Sequence, residues 1–129
     1  PGELVRVMDR MGKKGRWDEL VERFPLGPRQ GLYAKNASSW IRFNKQIVIL
    51  PPGARALSFG GTGDALAGIL ASFAARLPDL SQAAVNGALL HRRAGLLLET
   101  EFSPNFHSIS NLIEQVGSAL SFFSEENLR

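Results

Sequence analysis

Gly60-Gly61-Thr62-Gly63-Asp64, running straight into Ala65-Leu66-Ala67-Gly68-Ile69-Leu70-Ala71, sets three glycines and an acid at the mouth of an apolar helix. Glycine reaches positive φ at little cost, so such a turn can aim its backbone N–H groups inward. Those amides add to the positive end of the helix dipole and make a cradle for an anion. A phosphoryl group in transfer spreads charge over its equatorial oxygens, so the cradle would stabilise the reacting state as well as the ground state. Asp64, beside that hole, can take a proton from a hydroxyl that attacks a terminal phosphate. The plainer alternative is a glycine turn that permits close packing, with Asp64 as the helix N-cap.

Outward from this turn the pattern is helical on one side and strand-like on the other. Residues 64–77 are apolar nearly all round, which predicts a buried helix, ended by Pro78. A second apolar helix follows Ser81 as N-cap and runs to about Thr100. After a loop at Ser103-Pro104-Asn105, a last amphipathic helix runs from Ser110 or Asn111 to Phe123, with Asn111 and Glu114 as a capping pair. Upstream, 53–63 reads as a glycine-rich loop, set off by Pro51-Pro52-Gly53. Before it lie strand candidates at 31–35, 40–43 and 46–50, the last two joined by a hairpin across Asn44-Lys45. The chain begins with a helix over 3–11 stopped by Gly12, and a short one over 17–24 stopped by Pro25.

Strands with helices packed around them predict an α/β architecture and a single domain over 1–129. Three strands make a thin sheet for such apolar helices. The 64–77 helix in particular wants partners beyond those the chain supplies, which points to a missing piece or to an oligomer. The opening at Pro1-Gly2-Glu3, with no initiator Met, suggests a cut from something longer.

Composition narrows the function classes. At 129 residues and 44% hydrophobic content the chain can build a real core. The net charge of +3 comes from 15 Lys/Arg interspersed with 12 Asp/Glu. Lys13-Lys14-Gly15-Arg16 and Arg92-Arg93 lack the aromatic interleaving of a nucleic-acid groove, so no nucleic-acid partner is expected. There is no cysteine, which excludes disulfides and thiolate chemistry, and two distant histidines make no zinc motif. No apolar run approaches the roughly eighteen residues needed to span a bilayer. The expectation is a cytoplasmic protein with no membrane partner. His91 reads as a packed, hydrogen-bonded histidine, His107 as loop surface, and Trp17 and Trp40 as packing residues.

The stretch 53–70, Gly-Ala-Arg-Ala-Leu-Ser-Phe-Gly-Gly-Thr-Gly-Asp-Ala-Leu-Ala-Gly-Ile-Leu, resembles the signature of ribokinase-like enzymes, and within them most the ADP- or ATP-dependent NAD(P)H-hydrate dehydratases. Pro1-Gly2-Glu3-Leu4 looks like the tail of that family's Thr-Pro-His-Pro-Gly-Glu segment. Lys35-Asn36-Ala37-Ser38-Ser39 is similar to its Lys-Gly-Ala strand end. The helix through His91, Ala94 and Gly95 resembles its Leu-His-x-x-Ala-Gly-Asp, and Ser110-Asn111-Leu112 stands in the place of its Ser-Asp-Leu. The resemblance covers the whole chain but only the C-terminal half of a typical member.

That resemblance implies a ribokinase-like three-layer fold, present here as a few strands and apolar helices. It implies that Lys35, Asn36, Ala37, Ser38 and Ser39 line an adenine-nucleotide site, and that Gly61, Thr62 and Gly63 hold the phosphates. Asp64 would contact hydrated NAD(P)H and act as base. ADP or ATP with Mg2+ would be required, although no dedicated carboxylate ligand set for a metal is evident. The partners implied are NAD(P)H hydrate and the nucleotide, with a homo-oligomer or an N-terminal half completing the fold. Departures stand at Asn36, where the family has glycine, at Ala54-Arg55-Ala56, at Leu96 and at Asn111. The same turn and base would also serve a kinase of a hydroxymethylpyrimidine, a hydroxyethylthiazole or a sugar, and the departures suit a non-catalytic interaction domain.

Overall fold

The computed structural model describes residues 2–103 and 107–126. It divides at the Pro51-Pro52-Gly53 break into two compact units, Pro1–Pro52 and Gly53–Arg129.

The first unit holds two short helices and the whole sheet. Helix α1 (Gly2–Arg10) is followed by α2 (Trp17–Arg23), then strands β1 (Gly31–Lys35), β2 (Ser39–Phe43) and β3 (Gln46–Leu50). Gly12, at φ 70°, ends α1. Its amide donates to Asp9 O at 2.9 Å and that of Lys13 to Met8 O at 2.9 Å, the paired bonds of a left-handed helix stop. The strands form an antiparallel meander in the order β1-β2-β3, with Ala34 opposite Trp40 and Ile41 opposite Val48. Asn44 takes φ 51° in the β2–β3 turn, a conformation that asparagine tolerates.

Met8, Leu20, Val21, Ala34, Ile41 and Leu50 are the buried apolar residues here. The last carbonyls of α2 would otherwise lack partners. Arg42 of β2 supplies them, donating from Nη1 to Val21 O and to Phe24 O, both at 2.8 Å. Trp17 and Trp40 meet edge to face with ring centres 5.4 Å apart, the packing role expected of them.

The second unit is helical. A 3-10 helix (Arg55–Ser58) sits where a plain loop was expected, and it leads into α3 (Thr62–Arg76), α4 (Leu80–Glu101) and α5 (Ile109–Glu126). Helix α4 is the spine. Ala83, Gly87, Leu90, Ala94 and Leu98 recur at three- and four-residue spacing and are all buried. Leu90, Ala94 and Leu98 close a core with Ala56, Leu57, Leu112 and Ala119. Small residues bring the helices close: a Cβ on Gly87 would lie 2.9 Å from Leu70 Cδ2 of α3.

Three helical details differ from the sequence expectation. The N-cap of α4 is Asp79 rather than Ser81; its Oδ1 accepts from the amides of Ser81 at 2.8 Å and Gln82 at 3.3 Å. Both residue types cap well, and the chain enters the helix two residues earlier. Helix α5 likewise starts upstream of Asn111. Ser108 Oγ accepts the Asn111 amide at 3.2 Å and is itself hydrogen-bonded to Asn111 Oδ1, so the capping pair is Ser108–Asn111 and Glu114 is an exposed helix residue. Finally, α3 is not buried all round. Only Thr62 and Leu66 are buried, while Ala67, Ala71, Ala74 and Ala75 are exposed. Alanine is the strongest helix former and exposes little apolar area, so an alanine-rich face reads as core in the sequence without requiring cover. Pro104 and Asn105 of the expected loop lie outside the described residues. None of the described helices is long and apolar enough to cross a membrane.

Candidate functional site

The glycine turn lies in the second unit, and its conformation follows from residue type. Gly61 is the N-cap of α3 at φ 90°, ψ −18°, a left-handed backbone that a side chain would strain. It offers no side chain to the helix end, and no side-chain cap bond is made there. The first helical bond is donated by Ala65 to Gly61 O at 3.1 Å. An α-helix leaves the amides before that point without intrahelical partners, and they face outward along the axis with the positive dipole end. Nothing lies within 4 Å of where a Cβ would stand on Gly60 or Gly63, so the turn is open at these two residues.

Asp64 is exposed, in the first turn of α3. It is the third helical residue and not the cap, so the plainer reading of this carboxylate as an N-cap does not hold. Its carboxylate and the first-turn amides share one helix end. An acid placed there can accept a proton next to the position an anion would take.

Thr62 divides its functions. The residue is only 2% exposed. Its Oγ1 donates inward, with Leu57 O at 2.9 Å and Phe59 O at 3.1 Å. What Thr62 can offer a phosphate is therefore its backbone and not its hydroxyl. Its carbonyl meets His91 Nε2 of α4 at 3.0 Å, and His91 is 3% exposed, the packed histidine expected from the sequence. A carbonyl only accepts, so the proton of this pair sits on Nε2.

The residues 55–62 are held against α4 at two further points. Glu99 Oε1 accepts the Ala56 amide at the start of the 3-10 helix, at 2.8 Å. A Cβ on Gly95 would lie 2.6 Å from Leu57 Cγ, so only glycine lets Leu57 seat there. Glu99 was not singled out in the sequence. The signal that could have found it is the four-residue spacing His91, Gly95, Glu99, which puts the three on one face of a helix.

In the first unit, Lys35 ends β1 and Ser39 opens β2 directly opposite it. Asn36, Ala37 and Ser38 make the turn between them. The Asn36 amide donates to Ser38 O at 3.0 Å, and Asn36 Oδ1 accepts the Ala37 amide at 2.9 Å. Where the resemblance calls for glycine, asparagine thus locks the turn with its own side chain. Lys35 lines a groove of about 290 Å³ together with Glu3, Trp17 and Tyr33. His107 is partly buried, with Nε2 at 3.2 Å from Phe102 O, rather than plain loop surface.

Comparison with known proteins gives the class first. The chain is similar to YxkO of Bacillus subtilis, a member of the UPF0031 family, at 25% identity and a TM-score of 0.67, over 74% of this chain and 36% of that one. It is equally similar to the ADP/ATP-dependent NAD(P)H-hydrate dehydratase of Bacillus subtilis co-crystallised with ATP and Mg2+, with the same identity, TM-score and coverage. SMU.573 of Streptococcus mutans shares the fold at 23% identity and a TM-score of 0.63, over 84% of this chain and 37% of that one. The fold is thus ribokinase-like α/β, seen over about a third of the length of those proteins. The profile of the NAD(P)H-hydrate dehydratase family (Carb_kinase) matches residues 30–115, and the chain belongs to that family. No curated protein matches the sequence.

Proposed function

We propose that residues 1–129 carry the nucleotide-binding and proton-accepting part of a lyase that returns hydrated NADH or NADPH to NAD(P)H using ADP or ATP, as metabolite repair in the cytoplasm. The observation that supports it most is the exposed Asp64 in the first turn of a helix whose N-cap, Gly61, makes no side-chain cap bond. Family membership supports the substrate class.

The residues fit an adenine nucleotide's terminal phosphate at the front of α3, where Gly60 and Gly63 leave the approach open. The bound nucleotide supplies a phosphoryl group that turns a poor leaving group, hydroxide, into a good one, phosphate. The Gly61, Thr62 and Gly63 backbone would hold its oxygens and offset the charge that grows on them. Asp64 would contact the hydrated nicotinamide and take the proton from its ring hydroxyl as that oxygen attacks. Lys35, Asn36, Ala37, Ser38 and Ser39 would line the nucleotide's site, as the resemblance implies. Among the described residues no group of three or more His, Asp or Glu is placed to hold a metal. Mg2+ would accompany the nucleotide as the counter-ion of its phosphates.

The chain spans 36% of the length of the dehydratase it resembles, so the rest of the substrate pocket would come from further polypeptide, on the same chain or on a second copy. Adenine nucleotide with Mg2+ is expected to raise the thermal midpoint of the protein. Asp64→Ala is expected to lower turnover of NAD(P)H hydrate about a hundredfold or more while largely sparing nucleotide binding. Unchanged turnover in that variant would refute the base assignment. Accumulation of a phosphorylated product would instead point to a kinase.

A further inference from the structure

The phosphate turn is held from behind by one face of α4, and we propose that His91 and Glu99 are positioning residues for it. Three residues four apart on α4 meet the segment that leads into the turn. His91 donates to the Thr62 carbonyl at 3.0 Å. Gly95 leaves the space that Leu57 fills, where a Cβ would come within 2.6 Å of Leu57 Cγ. Glu99 Oε1 accepts the Ala56 amide at 2.8 Å. Thr62 then closes the loop on itself, its hydroxyl donating to Leu57 O and Phe59 O.

The consequence is geometric. Thr62 is the first residue of α3, so fixing its carbonyl and its side chain fixes the direction in which the first-turn amides point. A phosphate cradle stabilises developing charge only if its donors are already aimed before the reaction begins. Gly60, Gly61 and Gly63 cannot hold that aim themselves, because glycine has the most backbone freedom to lose. A rigid helix behind the turn supplies what the glycines lack. His91 suits the task because a buried imidazole presents one ring N–H in a fixed direction. Leucine at 91 would leave the Thr62 carbonyl short of a buried donor. Glutamine at 91 places an amide N–H near the position of Nε2 and keeps the bond. His91 and Glu99 touch no reacting atom; they act through Thr62 and Ala56.

This inference rests on the reading of the turn as a phosphate site, and the test separates the two. Amide hydrogen exchange at Ala65, which donates to Gly61 O, reports the turn without any ligand. Calorimetry with ATP and Mg2+ reports the affinity. His91→Leu is expected to speed Ala65 exchange and weaken ATP binding, each about tenfold. His91→Gln is expected to restore both. Leu112→Ala, a core variant whose side chain makes no hydrogen bond to residues 55–62, is expected to lower the thermal midpoint with neither effect. Unchanged Ala65 exchange in His91→Leu would overturn the inference. So would equal losses in His91→Leu and Leu112→Ala with no rescue by glutamine. A wild-type protein that binds no ATP, with Ala65 exchange still rising in His91→Leu, refutes the nucleotide reading and upholds the positioning. Should His91→Leu not fold, Glu99→Ala at an exposed residue carries the same two measurements with the same outcomes.

Discussion

The backbone of Gly95 runs so close to Leu57 that a methyl group on it would meet Leu57 Cγ at 2.6 Å and both Leu57 methyls at 2.9 Å. Leu57 is 7% exposed and sits in the core, so it has little room to turn away. Gly95→Ala gains helix propensity of about 1 kcal/mol but overpacks the core at about 1–3 kcal/mol, and net destabilisation is expected. Gly117 of α5 has nothing within 4 Å of its would-be Cβ, so Gly117→Ala should stabilise the protein by about 0.5–1 kcal/mol. Thermal denaturation of the two variants should shift in opposite directions. A rise in both would show that Leu57 repacks freely.

Gly63 offers a sharper test of the turn. It has no positive φ, and a Cβ there would stand in open space. Gly63→Ala should therefore leave stability within about 0.5 kcal/mol. The added methyl would nevertheless project where a phosphate is to be held, and ATP affinity should fall about tenfold. Gly61→Ala, by contrast, forces alanine to φ 90° against Ile109 Cδ1 at 3.3 Å and should cost about 1–2 kcal/mol of folding stability. Comparing melting curves and ATP titrations of the pair checks both statements; undiminished ATP affinity in Gly63→Ala would count against the phosphate site.

Arg42 bridges β2 to the end of α2 through two carbonyls. Arg42→Met keeps the aliphatic length but leaves Val21 O and Phe24 O without their donor. Charge-assisted bonds of this kind are worth about 1.5–3 kcal/mol, and urea denaturation should show a loss in that range. A loss below about 0.5 kcal/mol would mean that water replaces the guanidinium.

The Asp79 cap predicts a pH dependence with a definite sign. Hydrogen bonds from the Ser81 and Gln82 amides hold the Asp79 carboxyl below its ordinary value. Its folded pKa is depressed relative to the unfolded chain, so the stability it adds is present above the ordinary carboxylate range, about pH 4, and is lost as pH falls through the folded value. Asp79→Ala should melt below wild type at neutral pH, and the gap should narrow as pH falls below the ordinary carboxylate range, about pH 4. A gap constant with pH would refute the charged cap.

Features fixed by neighbouring residues were legible in the sequence. Gly12 and Pro25 stop their helices, Asn44-Lys45 turns the hairpin, and among the described residues the α-helices and strands fall where spacing put them, within a few residues. Asp64 at a glycine-led helix start was legible for the same reason. What the sequence hid was decided by competition or by distance. Asp79 and Ser81 are both good caps, and only the path of the chain chose between them. The exposed alanines of α3 looked like core because apolar character does not reveal what lies opposite. The inward hydroxyl of Thr62 and the Glu99–Ala56 bond, 43 residues apart, depend on packing that no local pattern encodes.

Every pairing in the sheet joins strands that follow one another within twenty residues, from Gly31 to Leu50. Closing such short loops loses little chain entropy, and nearby contacts form quickly. The meander can therefore assemble while the helices beyond Gly53 are still emerging from the ribosome. It would give the growing polypeptide an ordered nucleus before α3, α4 and α5 are free to pack.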